Sequence, residues 1–207
     1  MSFLTDRTKE YIKQGHYLYK TCCSFDNVLE VQKMFKDERL TEVDKVEQAL
    51  YMLTENKFKL WILSYKQKEE LLNRIVKEQI ALPRKPVIKP QQKTFDFDLD
   101  GEYIYSSFFQ EYGIDLLDQQ GKLHWKKFIA LFQGLSDNTK MREIMKIRSM
   151  ELPQYNGKNQ KQIQDIQELK SYYALPVSGG GGEKGLNALF CALESMAARG
   201  EVDKIAK

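Results

Sequence analysis

A chain of 207 residues with 42% hydrophobic and 29% charged side chains is long enough for one helical domain or two small ones, and too apolar to stay disordered. Its 32 basic and 29 acidic residues leave a net charge of +3, which excludes wholesale phosphate binding by charge alone; any nucleic-acid case must rest on a local patch. The three cysteines, Cys22, Cys23 and Cys191, are odd in number and lack paired spacing, so they read as reduced structural thiols in a cytosolic setting. The opening Met1-Ser-Phe-Leu-Thr-Asp-Arg has no apolar signal region, and no run of about 18 apolar residues is present to span a bilayer. The expectation is a soluble, unexported protein with no membrane partner.

From Phe25 to Ile80 apolar residues recur at helical spacing, as in Val43, Val46, Leu50 and Leu53, then Leu72, Ile75, Val76 and Ile80, which predicts three helices. The second has a start signal: Thr41 precedes the run and Asp44 follows three positions later, a hydroxyl and a carboxylate placed to satisfy orphan amides. The segment Pro83-Arg-Lys-Pro-Val-Ile-Lys-Pro90 cannot be helical throughout, because each proline lacks a donor and biases its predecessor toward extended backbone. A second helical block follows, with Ile104, Phe108 and Tyr112 on one face, then Trp125, Phe128, Leu131, Phe132 and Leu135, with Gly113 and Gly121 punctuating the gap. Met141, Ile144 and Met145 predict another helix, and Ile163, Ile166, Leu169 and Tyr173 one more before Pro176. Ser178 and Gly179 to Gly182 make a tether, after which Leu186, Leu189, Phe190, Leu193 and Met196 form an amphipathic pattern. No β-hairpin and no internal repeat are predicted.

The expected fold is therefore all-α, with about seven helices. It divides into a helical block over 1–82, a Pro/Lys linker over 83–97, a second block over 98–176, a glycine-rich tether over 177–185 and an amphipathic helix over 186–207.

The search for chemistry is mostly negative. Asp96-Phe-Asp98-Leu-Asp100-Gly101 matches the first half of a calcium-binding EF-hand loop, but Ser107 stands where a bidentate glutamate should close the shell. The competing reading of Asp96, Asp98 and Asp100 is capping of the helix that follows, since acids before a first turn favour the dipole and accept from free amides. His124 beside Trp125 has no metal-like partner spacing and reads as a structural, hydrogen-bonded histidine. No G-x-S-x-G turn and no phosphate-binding Gly-Lys-Ser/Thr ending is present, so no nucleophile, base and orienting group can be drawn. The expectation is a non-enzyme that needs no cofactor.

A basic strip, Arg84, Lys85, Lys89 and Lys93 with Lys126 and Lys127, lacks the interleaved aromatics that stack on bases, so solvated charge competes with nucleic-acid binding there. A nucleic-acid-associated packaging or regulatory factor is the alternative function. The aromatic surplus of Tyr103, Tyr105, Phe108, Phe109, Tyr112, Trp125, Phe128 and Phe132 fits core packing, with some left over for a partner surface.

The string Asp100-Gly-Glu-Tyr-Ile-Tyr-Ser-Ser-Phe-Phe-Gln-Glu-Tyr-Gly-Ile-Asp-Leu116, followed by Leu123-His-Trp-Lys-Lys-Phe-Ile-Ala-Leu-Phe-Gln-Gly-Leu135, resembles the bacteriophage "gp fifteen" family of long-tailed phages and prophages. The resemblance extends through Ile144, Ile147-Arg148 and Tyr172-Tyr-Ala-Leu-Pro176, and back to Asp37-Glu-Arg-Leu-Thr with Lys45 and Ala49-Leu50. Its members are encoded near the tape-measure gene, as tail assembly chaperones are. The resemblance implies a helical protein that forms homo-oligomers and binds the tape-measure protein in the host cytoplasm, and that is absent from the mature virion. Where this family often has a second aromatic after the tryptophan, this chain carries Lys126. Candidate interface residues are Tyr105, Phe109, Trp125, Lys126 and Phe132, with the apolar face Leu186, Leu189, Phe190 and Leu193 as a tethered partner-binding helix, a self-docking arm that links subunits, or an added linker and peptide.

Overall fold

A computed structural model of the chain describes residues 10–82 and 94–176. The tether, the helix expected from residue 186 with Leu186, Leu189, Phe190 and Leu193, and the strip Arg84, Lys85, Lys89 and Lys93 lie outside the described residues. The fold is mainly helical, as expected, and forms two compact units. The first takes residues 10–82 and 117–130 of the described chain, the second 94–116 and 131–176.

The first unit opens with an element that the sequence reading omitted, a hairpin of β1 (Tyr11–Gln14) and β2 (Tyr17–Lys20). The strands run antiparallel with Ile12 opposite Tyr19, and these two are its buried pair. Gly15 takes φ +58 at the first position of the two-residue loop, a conformation that glycine enters without steric cost. The sequence pattern predicts no hairpin here because tyrosines stand on both faces of strands only four residues long, which blurs the period of two.

Helix α1 (Phe25–Phe35) buries Phe25, Val28, Val31 and Gln32. Helix α2 (Glu42–Leu53) starts at the expected box: Thr41 Oγ1 accepts from the Asp44 amide at 3.2 Å, and Asp44 Oδ2 accepts from the Thr41 amide at 3.1 Å. It buries Val46, Ala49, Leu50 and Leu53, while Val43 at the edge of the same stripe stays exposed. A short helix, α3 (Lys57–Leu60), precedes α4 (Tyr65–Ile75), whose start repeats the box with Ser64 and Gln67. The last turn of this run, Val76–Ile80, widens into a π-helix closed by the Ala81 amide on the Val76 carbonyl at 2.7 Å, and it buries Val76, Gln79 and Ile80. Helix α2 packs on both α1 and α4, and β1 lies against α4.

Residues 117–130 fall with this first unit rather than with the second block in which their place in the sequence put them. The Phe25 amide donates to the Leu123 carbonyl at 2.9 Å and the Trp125 amide to the Cys23 carbonyl at 2.8 Å, a single antiparallel bridge. Asp26 Oδ1 accepts from the Gly121 amide at 3.0 Å. Helix α6 (Trp125–Gln133) then stacks Phe128 on Phe25, with ring centroids 4.8 Å apart.

In the second unit, α5 (Gly101–Tyr112) stops at Gly113, which takes φ +63 and returns its amide to the Phe109 carbonyl. Helix α7 (Lys140–Ser149) packs along it, and the Met141 amide at its start is satisfied by Ser107 Oγ at 3.0 Å. The core collects Phe97, Ile104, Phe108, Phe132, Leu135, Met141, Ile144 and Ile147. Phe95, Phe97 and Phe132 meet with centroids 5.0–5.4 Å apart. The last described helix, α8 (Gln160–Tyr172), packs on α7 but buries none of its own residues.

Candidate interaction surface

The aspartate turn before α5 is organised around protein groups. Asp96 Oδ1 accepts from the amides of Asp98 and Leu99, at 2.8 and 3.2 Å, and the Asp96 amide donates to Asp100 Oδ2 at 2.8 Å. The Asp100 carboxylate faces the Arg148 guanidinium through two bonds of 2.6 and 2.8 Å, both side chains nearly sealed from solvent. Arg148 also donates to the carbonyls of Thr94 and Tyr173, so one guanidinium joins the chain before α5 to the end of α8. Among the described residues no three or more His, Cys, Asp or Glu side chains gather as a metal centre. Asp96 thus organises a turn and Asp100 holds an arginine; Asp100 stands at the N-cap of α5 without a side-chain cap bond, so the acids order the turn before the helix rather than cap the helix as expected.

His124 sits at the start of α6, where its Nδ1 accepts from the Lys126 amide at 3.2 Å. Burial, with Lys126 and Lys127 close by, pushes its pKa down from 6.5 to about 4, so it is neutral at pH 7. Lys126 is half-buried and donates from Nζ to the Glu78 carbonyl at 2.8 Å, supplying an acceptor-rich helix end with a cation. Burial lowers the Lys126 pKa. This contact accounts for a lysine beside the tryptophan: the position ties α6 to the π turn. Burial also pushes the Cys23 thiol up to about 12, and burial with Glu55 nearby raises Cys22, so both thiols stay protonated at neutral pH.

The expected interface residues divide sharply. Trp125 is 0% exposed and Phe132 is equally a core residue, so both are removed from the surface: the packing of large aromatic area outweighs any partner role in this conformation. Lys126 is spent on the Glu78 carbonyl. Tyr105 is half-buried and donates its hydroxyl to Asp115 at 3.1 Å, while the adjacent Phe109 ring stands mostly in solvent. The most exposed large side chains are outside the expected interface set: Phe58, Trp61, Ile62 and Leu117 in the first unit and Tyr155 and Tyr172 in the second. A signal was available in Lys57-Phe-Lys-Leu-Trp-Ile-Leu63, a run too short and too evenly apolar to be a one-sided helix stripe.

Among the described residues no helix is long and apolar enough to cross a membrane. No curated protein and no solved structure matches the chain. A family model described as Bacteriophage Gp15 protein matches residues 5–175, which take in parts of both compact units, and the chain belongs to that family.

Proposed function

We propose that this phage protein is a tail assembly chaperone, a non-enzymatic helical protein that forms homo-oligomers and binds the tape-measure protein in the host cytoplasm during tail morphogenesis. The observation that carries the reading is membership of the Gp15 family over residues 5–175. The neighbouring exposed side chains Phe58, Trp61 and Ile62 support it, because an exposed cluster of large apolar groups, rather than a scattered one, marks an interaction site. A long, partly apolar tape-measure chain needs its surface shielded before tube proteins polymerise around it. No cofactor enters this activity.

Co-expression with the tape-measure protein encoded by the same phage tests the reading. The expected result is a tape-measure protein that is soluble only in the presence of this chain and co-purifies with it. A tape-measure protein equally soluble alone, and never co-purifying, refutes it. Light scattering of the purified chain tests self-association separately, a monomer mass at all concentrations being the negative outcome.

A further inference from the structure

The stretch from Lys57 to Leu63 buries Leu60, half-buries Lys59 and Leu63, and leaves the other four residues exposed. Leu60 is buried, whereas Phe58, Trp61 and Ile62 are 81%, 84% and 62% exposed. Two lysines frame them without acidic partners among the described residues. Lys57 Nζ stands 4.1 Å from the centre of the Tyr51 ring, and Lys59 Nζ stands 5.9 Å from that of Tyr17 and donates to the Leu18 carbonyl at 3.4 Å. The exposed apolar surface thus continues onto Tyr17, Leu18 and Tyr51. Beside Tyr51 an open recess of about 380 Å³ is lined by Glu47, Gln48, Tyr51 and Met52 of α2.

We propose that this face of the first unit, Phe58, Trp61 and Ile62 with Lys57 and Lys59, docks an amphipathic segment of a partner protein. That segment is apolar on one side and carries carboxylates on the flanks of its apolar side. The inference rests on the chaperone reading for its biological setting and adds to it the surface used and the chemistry of the partner. Charge selects the occupant: two ammonium groups held over aromatic rings rather than in ion pairs attract acids placed beside an apolar stripe. A second copy using the same patch across a twofold axis would set one lysine-bearing patch on another of the same sign. A recess beside Tyr51 with the size to take a side chain suits a folded segment better than a bilayer.

The test uses the full chain and its Phe58→Ser/Trp61→Ser and Lys57→Glu/Lys59→Glu variants, of which Phe58, Trp61 and Lys57 are exposed and Lys59 is half-buried. In co-expression with the tape-measure protein, both variants lose capture while circular dichroism and melting are unchanged. If wild type captures the tape-measure protein and both variants capture it equally, the docking face is wrong and the chaperone reading stands. If wild type captures nothing, the chaperone reading fails. The face is then judged by a synthetic helical peptide with a leucine stripe flanked by glutamates.

The chain has two tryptophans, and Trp125 is sealed, so acrylamide quenching reports on Trp61. Peptide binding protects Trp61, and the serine variant, with Trp61 absent, binds labelled peptide at least about 30-fold more weakly, the size of a lost hot spot. No protection by peptide overturns the proposal, as does protection by phosphatidylserine vesicles alone. A lower oligomer mass in the serine variant would assign the face to self-association and overturns it too.

Discussion

Replacing Arg148 by Met removes four hydrogen bonds at once, two to Asp100 and one each to the Thr94 and Tyr173 carbonyls. The side chains of the ion pair are only 9% and 2% exposed, so water cannot replace the guanidinium at the Asp100 carboxylate, which keeps the Asp96 amide. Leaving a buried charge unpaired costs ~3–5 kcal/mol, a large share of the ~5–15 kcal/mol that holds a typical domain together. Asp100→Asn costs less, about 2–3 kcal/mol, because Arg148 retains both carbonyl acceptors. The double variant removes both charges, so its loss falls short of the sum of the singles by at least ~1.5 kcal/mol. Urea denaturation of the four proteins measures the cycle. Hydrogen exchange adds a regional readout. Lys170 donates to the carbonyls of Arg148 and Met150, and Arg148 Nε holds the Tyr173 carbonyl, so polar contacts secure a helix that buries none of its residues. Arg148→Met therefore raises exchange across α8, while Asp100→Asn leaves it near wild type. Additivity within about 0.5 kcal/mol, with equal α8 exchange in both single variants, would refute the reasoning.

The two tryptophans should behave oppositely: Trp125→Ala lowers unfolding free energy by ~3–5 kcal/mol and Trp61→Ala by less than ~0.5 kcal/mol, measured in urea. Gly15→Ala meets no atom within 4 Å, so its cost of ~1–2 kcal/mol is purely the positive φ, and Gly15→Asn should recover part of it. Because the folded pKa of His124 lies below its unfolded value, the folded state loses stability as pH falls from about 6.5 toward about 4. The full shift corresponds to at most roughly 3 kcal/mol, and partial exposure reduces this to roughly 1–2 kcal/mol. His124→Asn should lose that much less between pH 7 and pH 4.5, and a parallel pH profile for the two proteins counts against the assignment.

Helix positions were legible wherever apolar residues kept one face over three turns, as in Val46, Leu50 and Leu53 or Ile104 and Phe108, because that periodicity is set by the backbone repeat. The Thr41–Asp44 box was equally readable, being a contact between residues three apart. Family membership could be read from the strings around Tyr103 and Trp125. The hairpin was hidden by its length, although Gly15 marked its turn.

What the sequence by itself determined, then, is local: helix faces, caps and the motif strings of a family. Only tertiary structure decided which aromatics are core and which are surface. Trp125 and Trp61 both stand in apolar runs flanked by lysines, and the difference between 0% and 84% exposure comes from what packs over them. The same holds for Asp100, whose role is decided by Arg148, 48 residues away, and for residues 117–130, drawn to the first unit by Cys23, Phe25 and Asp26. Contacts between residues so far apart are governed by burial and hydrogen-bond satisfaction over the folded chain, which no local spacing encodes.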